Sequence, residues 1–192
     1  MSIRHTRLAR LGAAAVCTIA LTTGGATLAV SAGAAESAVA ARPLMKIPFP
    51  CGEEWRGATF AGHGLPYAID LNKGGGDDDW GMPVKASAAG TVESIRYYAS
   101  TPSNPSWGHT VEIRHGGGWT SFYAHLKGGT ITVSEGQSVS ASTTIAQVGK
   151  SGDQSSSHLH YEQRLNGDDK PIVFGERAVV YYSTDYYTRT RC

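Results

Sequence analysis

Thr120-Ser121-Phe122-Tyr123-Ala124-His125-Leu126 reads as a strand. Side chains alternate across a strand, so Phe122, Ala124 and Leu126 are expected on one face and Tyr123 and His125 on the other. The same short alternation recurs on both sides of this stretch. Residues 67–71, 84–86, 90–98, 109–115, 130–133, 144–148, 158–164 and 178–182 all read as strands, separated by Gly, Asn, Asp and Ser breaks. No window longer than ten residues carries a 3.6-residue apolar period. Many short strands at regular spacing predict an all-β fold, a compact antiparallel sandwich or barrel-like domain. The 24 glycines and 9 tyrosines, against 3 methionines and 4 phenylalanines, lean the same way.

The chain has 192 residues, a length that suits one compact domain rather than two. Its formal net charge of +1 carries no basic footprint for nucleic acid. Hydrophobic content of 41% is enough to build a core, which argues against disorder. The N-terminus reads as a secretory signal peptide over residues 1–34. Arg4, Arg7 and Arg10 form a positive region, residues 11–30 are apolar and free of charge, and Ala32-Gly33-Ala34 is a cleavage signature. A membrane anchor is the alternative, but the stretch is rich in Ala, Gly and Thr and runs straight into cleavage sites. No stable membrane insertion is therefore expected after cleavage. Cys17 sits behind Val16, where a lipoprotein signal wants a small residue. Residues 35–47 read as a short leader and residues 48–192 as the domain.

Cys51 and Cys192 remain after cleavage, near the two ends of the domain. In an exported chain they are expected to pair, closing almost the whole domain into one loop. Gly74-Gly75-Gly76-Asp77-Asp78-Asp79 reads as a solvated acidic loop, its spacing matching no calcium-binding motif.

His158-Leu159-His160 carries the first chemical signal. On a strand both imidazoles point to one face while Leu159 turns to the core. Imidazole is the commonest zinc ligand, although an isolated H-x-H is weak evidence. Asp70 lies in Tyr67-Ala68-Ile69-Asp70-Leu71, with Ile69 and Leu71 on the opposite face. A carboxylate so placed is expensive to bury unless paired or bound to a cation. His63, Asp70 and one histidine of the pair would make a His₂Asp set, leaving the fourth position of a tetrahedral site open for water. A salt-bridged Asp70 and a solvated His63 are the plain alternatives. His125 sits off the expected core face of its strand, whereas His109 and His115 read as exposed.

Five segments, in order, resemble the lysostaphin/LytM-type zinc endopeptidases of peptidoglycan. They are the His63…Asp70 element, Gly81-Met82-Pro83-Val84-Lys85-Ala86-Ser87-Ala88-Ala89-Gly90-Thr91-Val92, Tyr123-Ala124-His125-Leu126, Gly136-Gln137-Ser138-Val139 and His158-Leu159-His160-Tyr161-Glu162. The resemblance, which spans about residues 60–165, implies the duplicated hybrid motif fold with a groove across one sheet. It implies Zn2+ held by His63, Asp70 and His160, with His125 and His158 as non-ligand catalytic histidines. It implies a secreted, cell-wall-acting monomer whose partners are peptidoglycan peptides. One departure stands out. The commonest family spacing is His-x₃-Asp, yet Pro66 stands four residues before Asp70 and His63 lies at His-x₆-Asp. Either the Gly64-Leu65-Pro66 loop bulges so that His63 reaches the metal, or the site has lost a ligand.

Two other classes compete. A degenerate relative would bind peptidoglycan or regulate a hydrolase without cutting, but such proteins usually lose site residues, and all five stand here. A lipoyl- or biotinyl-type carrier would share the 133–145 hairpin pattern, but it needs a lysine at an exposed tip and lacks a signal peptide.

Overall fold

The computed structural model describes residues 41–60, 65–101 and 106–190. The proposed signal peptide, His63 and Cys192 lie outside the described residues. Among those described there is no helix. The strands are β1 (Glu54–Ala58), β2 (Ala68–Asn72), β3 (Pro83–Lys85), β4 (Gly90–Tyr98), β5 (Gly108–Gly116), β6 (Trp119–Leu126), β7 (Ser138–Val139), β8 (Thr144–Gln147), β9 (Leu159–Leu165), β10 (Asp168–Lys170), β11 (Val173–Phe174), β12 (Arg177–Ala178) and β13 (Thr184–Thr188). One large antiparallel sheet runs β13-β1-β2-β9-β6-β5-β4-β7, with β10 extending the β9 hairpin. Two-stranded sheets β3-β8 and β11-β12 complete a barrel-like, unclosed fold.

The large sheet has one apolar face. Ile69 and Leu71 of β2, Leu159 and Tyr161 of β9, Tyr123 of β6 and Val111 and Ile113 of β5 all enter the same core cluster. Alternation sends Asp70, His160, Glu162, Ala124 and Phe122 to the other face, where Asp70 is opposite His160 and His160 is opposite Ala124. The expected facing of β6 is therefore corrected. Tyr123, not Phe122, enters the main core cluster, because Tyr123 pairs with Tyr161 and Phe122, though buried, with Glu162 on the other face.

Leu126 nevertheless returns to the core, because a bulge intervenes. Val111 pairs with Tyr123 and His109 with Leu126, so β6 spends one extra residue across this step. His125 takes up the extra residue in a left-handed conformation, φ 60°. Such bulges re-aim one side chain, here the His125 ring.

Other expectations are revised. Residues 130–133 form no strand, and of residues 178–182 only Ala178 lies in one. Residues 42–47, read as leader, pack into the domain: Met45 and Ile47 are buried. Lys46 N donates to Ser87 O, and the Arg42 guanidinium lies 4.5 Å from the Trp119 ring centroid. His115 is not a free surface residue. Its Nδ1 lies 2.8 Å from Ala89 O and its Nε2 2.7 Å from Ser121 Oγ. Ser121 leads to Tyr123 Oη, which also accepts from Ser87 N at 2.8 Å.

Candidate active site

Strand β9 is central to the sheet, and its first residues build the site. Asp70 Oδ1 lies 3.2 Å from His160 Nδ1 and 3.8 Å from His158 Nε2. The His125 ring is 4.8 Å from that of His158 and 5.7 Å from that of His160, centroid to centroid. Four of the five residues singled out in the sequence are thus brought together, and the fifth, His63, lies outside the described residues.

Each ring is oriented by a hydrogen bond on its far side. His160 Nε2 is 2.9 Å from Glu162 Oε1, and Glu162 Oε2 accepts from Arg164 Nε at 2.7 Å. Burial opposes ionisation of Glu162, but His160 and Arg164 more than offset it and hold its carboxyl below the usual range. An ionised carboxylate only accepts, so His160 Nε2 carries a proton and Nδ1 faces Asp70. Burial likewise opposes a charged His160, and Asp70 and Glu162 outweigh it, raising its pKa. His125 Nδ1 donates to Ser151 O at 3.0 Å and His158 Nδ1 to Ser156 O at 3.1 Å, which leaves both Nε2 atoms as acceptors, that of His158 aimed at Asp70. Burial first, then the neighbouring His158 and His160, lower the His125 pKa to about 3, so this ring is neutral at pH 7.

The donors suit a divalent cation. Two ligands of a tetrahedral zinc stand roughly 3.3 Å apart, close to the 3.2 Å between His160 Nδ1 and Asp70 Oδ1. His160 Nδ1 and Asp70 Oδ1 would both have to be free of protons to hold it. No group of three His, Cys, Asp or Glu side chains placed to hold one ion occurs among the described residues.

Two site residues carried no assigned role in the sequence. Glu162 stands two residues beyond His160, a spacing that puts both on one strand face and could have flagged it. Trp107 gave no signal. It enters from the segment before β5, its ring 4.6 Å from His160 and edge-on to Phe122 at 5.9 Å.

The chain belongs to peptidase family M23, whose pattern matches residues 68–171. It is 32% identical over 137 residues to the beta-lytic metalloendopeptidase of Lysobacter enzymogenes, covering 65% of this chain and 70% of that one. It is 36% identical over 87 residues to the peptidoglycan DD-endopeptidase ShyA of Vibrio cholerae, 45% of this chain but 18% of the relative. The fold matches that of the deep-sea M23 metalloprotease pseudoalterin with a TM-score of 0.52, at 22% identity, over 68% of this chain and 75% of that one.

Proposed function

We propose that this chain is a secreted zinc endopeptidase that hydrolyses peptide bonds in the cross-links or stem peptides of peptidoglycan. His63, Asp70 and His160 would hold the metal, and His125 and His158 would move protons. The observation that carries the reading is the convergence of the His125 and His158 rings on the Asp70–His160 pair. Membership of family M23 and the wall-directed activities of relatives support the substrate class.

Bound zinc would supply Lewis-acid polarisation of the scissile carbonyl and a more acidic water. The residues of the chain do the remainder. Neutral His125, its Nδ1–H held by Ser151, presents a lone pair at Nε2 able to accept a proton. His158 presents its Nε2 on the same side, and whichever ring becomes protonated can return that proton to the leaving amine. Trp107 would shield the His160 edge of the site from water. Residues 1–34 would direct export.

The test combines zinc content with cleavage. Purified protein should contain one zinc per chain and release peptide fragments, identified by mass, from isolated sacculi. Chelation should stop release and zinc should restore it. A zinc-loaded, folded protein that cuts no sacculus of any chemotype would overturn the endopeptidase reading.

A further inference from the structure

The acidic loop is exposed over residues 74–78, as expected, but it ends on a buried carboxylate. Asp79 is 1% exposed. Its Oδ2 accepts from Lys73 N at 3.1 Å, and its Oδ1 accepts from the Ser157 hydroxyl. Asp77 Oδ1 accepts from Ser157 N at 2.8 Å, while its Oδ2 meets Lys150 Nζ at 2.5 Å. Asp78 is used within the loop, accepting from Gly75 N at 2.9 Å. The carboxylates of Asp77 and Asp79 are thus engaged by donors from three other segments of the chain.

Each of those segments adjoins the site. Lys73 follows β2, three residues beyond Asp70. Ser157 precedes His158, and the Ser156 carbonyl on its other side takes the His158 Nδ1–H. Lys150 precedes Ser151, whose carbonyl takes the His125 Nδ1–H and whose hydroxyl donates to Leu126 O at 2.8 Å. Behind the loop, Gly81 N donates to Val148 O and Val148 N to Met82 O, at 2.9 and 2.8 Å. The loop is therefore tied at its base to the strand end that leads into Lys150.

We infer that Asp77 and Asp79 are positioning residues: they lock together the backbone segments that orient His158 and His125. This rests on the proposed roles of those two histidines. The hydrogen bonds of Asp77 and Asp79 go to Lys73, Lys150 and Ser157 and not to an imidazole, although Asp79 also feels the His158 ring electrostatically. It acts by holding the Ser151 and Ser156 carbonyls, and through them the two imidazoles, in register with Asp70.

The test uses the full zinc-loaded chain with Asp77→Ala, Asp79→Asn and Ser157→Ala, and Asp78→Asn as control. Turnover of a peptidoglycan fragment, zinc per chain and the ring-nitrogen NMR signals of His125 and His158 are measured on each. Small misplacements of catalytic groups cost up to about 100-fold in rate. The expected result is a fall in kcat of about tenfold or more, with KM and zinc content unchanged and both rings losing their single Nδ1–H form. Asp78→Asn should match the parent. Asp77 is solvent-exposed, so its replacement should leave the fold intact even where Asp79→Asn does not. Unaltered kcat and ring signals in Asp77→Ala overturn the inference, as does a kcat loss matched by loss of zinc. His125→Ala and His158→Ala run alongside. Slow histidine variants beside normal loop variants defeat this inference alone, whereas full activity in the histidine variants defeats the reading beneath it.

Discussion

At the scale of single residues, the two histidines of one strand should fail differently. His160→Ala and Asp70→Asn remove proposed metal donors, so zinc content and activity should fall together. His158→Ala and His125→Ala should keep zinc while losing roughly 10²–10⁴-fold in rate, the usual range for acid–base groups. His63→Ala should behave like His160→Ala if the His-x₆-Asp spacing serves the metal. Glu162→Gln keeps an acceptor near His160 Nε2 but removes the charge that pairs with Arg164. Partners of this kind are worth about 10–100-fold in metal affinity. Elemental analysis beside turnover checks all six variants. Normal zinc and rate in His63→Ala would mean that another side chain completes the set. Of these residues the sequence marked all but Glu162 by type and spacing, but it could not say which ring nitrogen faces inward. That depends on Ser151, Ser156 and Glu162, which reach the rings only after the strands pair.

At the scale of elements, β6 is held by a polar chain inside the sheet. Tyr123 is fully buried, and its Oη accepts from Ser87 N and lies near Ser121 and Ser87 hydroxyls at 2.9 and 3.0 Å. Tyr123→Phe leaves the buried Ser87 N without this acceptor, while the Ser121 hydroxyl keeps His115 Nε2, and should cost about 1–3 kcal/mol in denaturant unfolding. His115 at the end of this chain predicts a pH effect of definite sign. Burial lowers its folded pKa below the ordinary histidine value. Below about pH 6.5 the unfolded chain takes up a proton that the folded chain refuses. Stability should therefore fall as pH drops from there toward the folded pKa. A variant His115→Gln should show a shallower acid slope than the parent, and identical slopes would remove His115 from the account. The alternation of β6 was legible in the sequence, but its facing was not. Period 2 is indifferent to a one-residue shift, and only pairing with β9 shows that Tyr123 faces inward.

At the scale of the whole molecule, β1 pairs with β13 and brings the beginning and end of the domain side by side. Gly52 N donates to Arg189 O at 3.0 Å, and Cys51 Sγ lies 3.6 Å from the same oxygen. This proximity supports the expected Cys51–Cys192 bridge, although Cys192 lies outside the described residues. Closing so long a loop stabilises by about 2–4 kcal/mol when the geometry is unstrained. Intact mass after alkylation, with and without reductant, should show one bridge and no free thiol in the exported chain, and reduction should lower the unfolding midpoint. Two alkylated thiols without reductant would rule the bridge out.

The sequence alone determined the all-β class, the open-face placement of Asp70 and the joint facing of His158 and His160. Each follows from the two-residue period of an extended chain, a local property that needs no partner. Tertiary structure decided the rest. His125 reaches the site through a bulge that exists only because β5 and β6 pair out of step. Trp107 and the Asp77–Asp79 loop reach it across gaps in the chain that no local period encodes. Met45 and Ile47 look like leader until the core closes over them. Burial and hydrogen-bond direction depend on which segments meet, and that is settled by the packing of the whole sheet.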